Sequence, residues 1–332
     1  MNTLNNKKIL ITGGTGSFGK KFIDIALEKY KPKKIIVFSR DELKQYDMKN
    51  RYKDFNKVLR FFLGDVRDLE RLKLAVRDVD LVIHAAALKH VESGEYNPFE
   101  VVKTNILGTQ NVIDAIVTSN VKKGIFLSTD KAVSPINLYG ATKLAAEKIF
   151  IAANNYSNKL FSVVRYGNVF NSRGSVMPFF INQIKNNEII SITDKEMTRF
   201  NISLEQGVKF VINCSENMIG GETFIPKMKT IKILDLIKVL KPKKGYKVVG
   251  IKPGEKLHEE LIAQSDNSLK IKTKSYYITL PSTLSKRDKK INIYIKKNKG
   301  KLFFNNFSYN SGSTDERLTA SQIQKMVSEH KL

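Results

Sequence analysis

Tryptophan is absent from this chain of 332 residues, and cysteine occurs once, at Cys214. A single thiol excludes any disulfide within the chain and fits a reducing compartment. Long apolar runs are missing too. The start of the chain passes from Met1 through Asn and Lys into Ile9-Leu10-Ile11, which is too short for a signal peptide or a membrane span. A soluble, cytoplasmic protein with no membrane partner is expected. Internal repeats and low-complexity linkers are also lacking, and 42% hydrophobic residues leave enough apolar surface for a large core.

Acids are scarce, at 32 Asp and Glu against 57 Lys and Arg, for a formal net charge of +25. Such an excess raises the question of a nucleic-acid partner, which requires clustered cations. The densest stretch runs from Lys270 to Lys301 with Asp288 as its one acid, yet it holds Tyr-Tyr-Ile and Ile-Asn-Ile-Tyr-Ile segments rather than a nucleic-acid motif. It reads as a solvated basic surface, so no nucleic-acid partner is expected.

What is present is an alternation of strands and helices. Lys8–Thr12, Lys34–Phe38, Val58–Leu63, Leu81–His84, Gly124–Ser128 and Phe161–Val164 read as strands, separated by amphipathic stretches of helical length. Strands that are apolar without alternation belong in a parallel sheet covered on both faces. The expected class is therefore α/β, a Rossmann doubly wound sheet with a smaller C-terminal lobe. Residues 1–166 make the dinucleotide-binding domain, with 200–226 returning to it. Residues 167–199 and 227–332, where prolines break the rhythm, make the substrate-binding lobe.

Gly13-Gly14-Thr15-Gly16-Ser17-Phe18-Gly19 follows the first strand at once and opens a helix. Glycines at 13, 16 and 19 supply a tight turn, close backbone approach to a pyrophosphate and close helix packing, with the helix N-terminus facing the anion. Thr15, Ser17 and Phe18 lie in the same loop. The second strand ends in Ser39-Arg40-Asp41, where an NAD-selective site would carry an acid. Ser39 can hydrogen-bond, Arg40 can pair with a 2′-phosphate, and Asp41 comes late for the ribose, so NADP is the expected cofactor. Asp65 and Val66 follow the third strand at the adenine, and Ala85, Ala86 and Ala87 follow the fourth, where small side chains admit a dinucleotide. Lys89 and Asn105 complete the expected cofactor set. No metal site is expected.

The fifth strand ends in Ser128-Thr129-Asp130-Lys131, and Tyr139-Gly140-Ala141-Thr142-Lys143 follows. Tyr139 and Lys143, four apart, share a helix face. Lys143 can then lower the phenol's pKa, and Tyr139 can take a proton from a sugar hydroxyl as hydride leaves the same carbon.

These segments give a specific resemblance. With His84-Ala85-Ala86-Ala87-Leu88-Lys89-His90-Val91, Arg165-Tyr166-Gly167-Asn168-Val169, Ser172-Arg173-Gly174-Ser175, Met197-Thr198-Arg199-Phe200 and Pro253-Gly254-Glu255-Lys256-Leu257-His258-Glu259, residues 8 to about 263 resemble the inverting UDP-N-acetylglucosamine 4,6-dehydratases. That family is a branch of the extended short-chain dehydrogenases/reductases and begins pseudaminic-acid synthesis. The resemblance implies oxidation at carbon 4, loss of water across carbons 5 and 6, and return of the hydride to carbon 6 with inversion at carbon 5. It implies that Tyr139 deprotonates the 4-hydroxyl, that Lys131 is the base at carbon 5 and that Asp130 is the acid for the 6-hydroxyl, with Thr129 beside them. A Lys beside an Asp in a partly desolvated site can be tuned toward neutrality. The substrate, UDP-N-acetylglucosamine, would meet Lys89 and Asn168, with Arg173, Arg199 and Glu255 toward its diphosphate. The basic surface suits such an anion. A homo-oligomer is implied, with a hexamer among the forms.

The chain departs from the family pattern at Glu92-Ser93-Gly94, where Pro is usual after His-Val, at Phe170-Asn171, at Asn201, and at Lys252 in place of an Arg. The catalytic set is intact. Two alternatives remain open at this point: a related nucleotide-sugar 5-epimerase or 4-epimerase, and a non-enzymatic NADP-sensing or nucleic-acid-binding protein.

Overall fold

The computed structural model describes residues 3–170, 176–281, 289–303 and 307–328. The six expected strands form, two with the expected ends and four with ends moved by one or two residues: β1 Lys8–Thr12, β2 Lys34–Ser39, β3 Leu59–Leu63, β4 Leu81–His84, β5 Lys123–Thr129 and β6 Leu160–Tyr166. They lie parallel in the order β3-β2-β1-β4-β5-β6. This is the doubly wound α/β arrangement read from the sequence, and its strand order reverses between β1 and β4, where ligands of such sheets bind.

The physical reason is visible in the alternation of buried residues. Ile9, Ile11, Ile35, Val37, Ile83 and Ile125 face one apolar layer. Leu10, Ile36, Phe38, Val82, Phe126 and Phe161 face the other. Successive strand side chains point to opposite faces, so a strand covered on both sides is apolar throughout.

Beyond β6 the chain returns to the sheet. The helix Leu204–Asn217 buries Val208, Val211 and Ile212 in the first layer, and the strand Thr223–Pro226 pairs parallel with β6. Three strands from the stretch expected to form only the substrate lobe extend the same sheet: Tyr276–Thr279, Lys270–Lys272 and Lys301–Phe303, all antiparallel. The Tyr-Tyr-Ile run supplies the buried residues that continue it, and Lys301 stands on the edge strand, where lysine discourages pairing with another chain. A third apolar cluster stands apart, built from Met177, Phe180, Ile190, Ile192, Leu236 and Ile323 among others. Among the described residues no helix is long and apolar enough to cross a membrane.

Candidate active site

A cleft of about 630 Å³ opens along the C-terminal ends of β1, β2, β4 and β5. At its floor the chain leaves β1 and turns at Gly13, whose φ is +65° and where a Cβ would lie 2.9 Å from the Ala86 backbone. Gly19 seats the helix Ser17–Lys29 on the loop, since a Cβ there would lie 2.1 Å from the Gly14 carbonyl oxygen. Gly16 is the N-cap and contributes no side-chain cap, which leaves the first N–H groups of that helix to an anion.

A buried chain of hydrogen bonds fixes the opposite wall. The Thr12 hydroxyl accepts from the Ala85 and Ala86 amides, each at 3.2 Å, and so donates its own proton to His84 Nδ1 at 2.7 Å. The His84 Nε2–H then donates to Thr109, 3.0 Å away, which donates to the Asn105 carbonyl at 2.6 Å. Burial, with the Lys143 charge adding to it, pushes His84 down to about 3 and keeps it neutral. Asn105 does not line the cleft. Its side chain clamps Leu88, at 2.8 Å and 2.9 Å, and the Thr142 hydroxyl at 3.1 Å, so it positions the loop that carries Lys89.

At the far end of the cleft, Ser39 shares a 2.8 Å hydrogen bond with Thr15. Arg40 lies 3.6 Å from Asp65, which Arg67 also holds at 2.8 Å. Burial pushes the Asp65 carboxyl up, but the Arg67 hydrogen bonds and the charges of Arg67 and Arg40 outweigh it and hold the carboxyl below its usual range. Asp41 caps the helix Glu42–Arg51, accepting from the Lys44 amide at 2.9 Å. Its carboxylate serves the helix end, and no other acid ends β2. The cradle of glycines and alanines, the open helix N-terminus and Ser39 fit a dinucleotide.

The reactive centre sits where β5 ends. Thr129 leads into a single turn, Asp130–Ala132, against which the helix Leu138–Ala152 packs. That packing requires Gly140, because a Cβ there would lie 2.1 Å from the Lys131 carbonyl oxygen. Asn137 caps the helix, accepting from the Gly140 amide at 2.8 Å, and its own amide holds the Gly254 carbonyl at 2.8 Å. Thr129, Asp130, Lys131, Tyr139 and Lys143 thereby come to line one cleft.

Asp130 is wholly buried. Its Oδ1 accepts from Thr129 at 2.9 Å and from the Lys131 ammonium at 3.0 Å. Lys131 also meets Glu259 Oε1 at 3.2 Å. Burial alone would lower the Lys131 pKa, but the Asp130 and Glu259 charges raise it above the ordinary lysine value. The expectation that Lys131 is tuned toward neutrality is therefore corrected: two carboxylates hold it as an ammonium.

A second correction concerns the phenol. Burial pushes Tyr139 up to about 12, and the groups acting against that are the Lys131 charge and the Thr129 hydroxyl. Lys143 instead donates to the Leu127 carbonyl at 2.7 Å and lies 3.8 Å from the Phe126 ring centre. Burial pulls Lys143 down to about 7, with the Glu147 charge opposing. The sign of the linkage follows. Between pH 7 and the ordinary lysine range the unfolded chain binds a proton that the folded chain does not, so stability rises with pH across that window. Lys143→Met is thus expected to stabilise the cofactor-free protein by a few kcal/mol at pH 6. The difference shrinks as pH rises above 7, and thermal melts at pH 6 and at about pH 9 check it.

Of the expected substrate contacts, Lys89 and Asn168 line the cleft, and the Asn168 Oδ1 is buried without a hydrogen-bond partner among the described residues. Arg199 stands behind it, donating to the Thr198 and Leu257 carbonyls at 2.7 Å and 3.1 Å, with Nε 4.0 Å from Glu259. Glu255 also lies away from the cleft lining. Arg173 lies outside the described residues. Two residues at the centre were not singled out from the sequence. Glu259 is 3% exposed, and Lys256 reaches the Val133 carbonyl at 2.6 Å. Both occur in the Pro253–Glu259 motif, which showed that the segment mattered but not which side chain reached Lys131.

The comparisons with known proteins agree with this geometry. The profile of the family described as polysaccharide biosynthesis protein matches residues 9–281. A Campylobacter jejuni protein named UDP-N-acetylglucosamine 4,6-dehydratase (inverting) is 52% identical over 328 residues, which is 97% of this chain and 98% of the relative. A second from the same species, of the same name, is 54% identical over 97% of this chain. The X-ray structure of Pen from Bacillus thuringiensis superposes with a TM-score of 0.87 at 38% identity, covering 99% of both chains. The chain belongs to the polysaccharide biosynthesis protein family of extended short-chain dehydrogenases/reductases, on the branch that includes the inverting dehydratases of Campylobacter jejuni.

Proposed function

We propose that this protein dehydrates UDP-N-acetylglucosamine across carbons 5 and 6 with inversion at carbon 5, giving a UDP-4-keto-6-deoxy-hexosamine for surface-glycan or flagellin sugar synthesis. The observation that carries this reading is the Thr129-Asp130-Lys131 turn held against Tyr139. It occurs in a chain that shares 52% and 54% identity with two dehydratases of that name.

Bound in the cleft, a nicotinamide cofactor supplies the acceptor for the carbon 4 hydride and its donor to carbon 6. Tyr139 takes the 4-hydroxyl proton, and the ketone so formed acidifies the hydrogen at carbon 5. The 3.0 Å contact lets the Lys131 proton pass to Asp130 Oδ1, which makes an amine and a carboxylic acid with no change in net charge. The amine then takes the carbon 5 proton, and the carboxylic acid gives its own to the 6-hydroxyl as water leaves. The pair is then as it began, at the stage of the unsaturated ketone; when hydride returns to carbon 6, carbon 5 takes a proton on its other face, and that proton balances the one Tyr139 took from the 4-hydroxyl.

NADP is the cofactor of this reading. Ser39 stands where an acid would select NAD, Asp41 is engaged as a helix cap, and Arg40 and Lys44 both line that end of the cleft. The single thiol, Cys214, is buried, which suits a cytoplasmic setting. Exposed Tyr96 and Phe99 offer apolar surface for the homo-oligomer.

The test is incubation with UDP-N-acetylglucosamine in deuterated water, followed by NMR at early times and mass analysis of the nucleotide released on denaturation. A 4-keto-6-deoxy product carrying deuterium at an inverted carbon 5, with NADP released, is expected. A 4-epimer or unchanged substrate overturns the dehydratase reading, and release of NAD alone overturns the assignment to Arg40.

A further inference from the structure

One carboxylate too many surrounds Lys131. Its ammonium lies between Asp130 Oδ1 at 3.0 Å and Glu259 Oε1 at 3.2 Å. Both carboxylates are almost wholly buried, with side chains 1% and 4% exposed, while the Lys131 side chain is 27% exposed. Each acid also keeps a buried oxygen without a hydrogen-bond partner among the described residues, Oδ2 of Asp130 and Oε2 of Glu259. Burying charge is tolerated only where it is paired, so the second acid requires a reason.

We propose that Glu259 is a positioning residue, the lasting counter-ion that lets Lys131 keep the carbon 5 proton while Asp130 holds and gives away its own. The inference rests on the dehydratase reading. During that cycle Asp130 becomes neutral when it accepts the Lys131 proton, and it is still neutral if Lys131 takes the carbon 5 proton first. The new ammonium then needs an anion that has not been discharged. Glu259 is that anion, and Arg199, with Nε 4.0 Å away, keeps it paired while Lys131 is an amine.

The main chain that carries this carboxylate is held in place from the far end of the chain. The strand Tyr309–Asn310 pairs with Glu260–Ile262, which brings Ser311, itself wholly buried, against Glu259. The Glu259 amide donates to Ser311 Oγ at 2.9 Å, and the Ser311 amide donates to the Glu259 carbonyl at 2.8 Å. Ser311 Oγ also meets Thr198 Oγ1 at 2.8 Å, which meets His258 Nδ1 at 2.8 Å. Thr198 adjoins Arg199, so one hydrogen-bonded knot sets both Glu259 and the cation behind it. Residues near 311 are thus part of the reaction centre's support although they lie far from it in sequence.

Glu259→Gln keeps the shape and removes the charge. With UDP-N-acetylglucosamine it is expected to leave KM within about threefold and to slow carbon 5 exchange with deuterated water roughly 10–100-fold, the range lost with a hydrogen bond to a charged group. Oxidation at carbon 4 continues, so reduced cofactor builds up, and a substrate deuterated at carbon 5 shows a primary isotope effect larger than in wild type. Glu259→Asp restores part of the exchange because it restores the charge. Ser311→Ala lowers carbon 5 exchange relative to carbon 4 oxidation by about 3–10-fold. A merely structural role would lower both steps together. Equal loss of carbon 4 oxidation and carbon 5 exchange in Glu259→Gln, or exchange at the wild-type rate, overturns the proposal. Wild type without carbon 5 exchange would instead overturn the dehydratase reading itself, and Glu259's role with it.

Discussion

Lys131→Ala will leave an enzyme that oxidises carbon 4 and stops there. Reduced cofactor accumulates on addition of UDP-N-acetylglucosamine, seen as dihydronicotinamide absorbance, and carbon 5 exchange with deuterated water falls by about a thousandfold or more. The reason is local. The wholly buried Asp130 carboxylate accepts, among the described residues, from Thr129 at 2.9 Å and Lys131 at 3.0 Å, and Lys131 is the cation paired with it there. Removing Lys131 also leaves Asp130 and Glu259 facing each other without the cation between them. A stability loss on the order of 1–3 kcal/mol is expected, moderated by Arg199. Melting curves separate that loss from the chemical effect, because a folded variant that still exchanges the carbon 5 proton at the wild-type rate would return Asp130 and Lys131 to a structural ion pair.

The second large effect belongs to the phenol. Tyr139→Phe keeps the ring against the Asp130–Ala132 turn and deletes only the group that takes the 4-hydroxyl proton. Turnover should fall by about 10²–10⁴, with KM changed no more than a few-fold, since a proton transfer made only in the transition state is what is lost. Burial pushes the phenol up to about 12, so the ionised form depends on the opposing Lys131 charge and Thr129 hydroxyl. Carbon 4 oxidation and every later step should fail together, unlike Lys131→Ala, where the first step survives. Near-normal turnover in Tyr139→Phe would remove Tyr139 from the chemistry.

These two predictions differ in how far they could be read before the fold was known. Tyr139 and Lys143 fall on one helix face by spacing alone, and Asp130 and Lys131 are neighbours in the chain. The ionisation of these groups was not legible. Spacing suggested that Lys143 acts on the phenol, yet Lys143 turns to the Leu127 carbonyl, and it is the Lys131 charge that opposes the rise burial gives the phenol. Adjacency to Asp130 suggested a Lys131 tuned toward neutrality, and against burial the Asp130 charge, joined by that of Glu259 from another part of the chain, turns the shift upward. Asn105 shows the same limit. It belongs to the site's support rather than its lining, because the chain folds its amide back onto Leu88.

The sequence by itself determined the sheet. Apolar runs of strand length, spaced by amphipathic helices and punctuated by Gly13, Gly16 and Gly19, admit one economical arrangement, since both faces of each strand must be covered and the glycine turn must follow β1. It also determined which residue types stand at the ends of β2 and β5, because a strand's register places its last residue at the cleft. Only the tertiary structure decided the electrostatics of the centre. The charge on Lys131 depends on Asp130, Glu259 and Arg199 within a few ångströms, and burial and Coulomb interaction act through space rather than along the chain. The same holds for Ser311, whose hydroxyl reaches Glu259 because a short strand near the C-terminus pairs with Glu260–Ile262, a pairing that no local pattern in either segment announces.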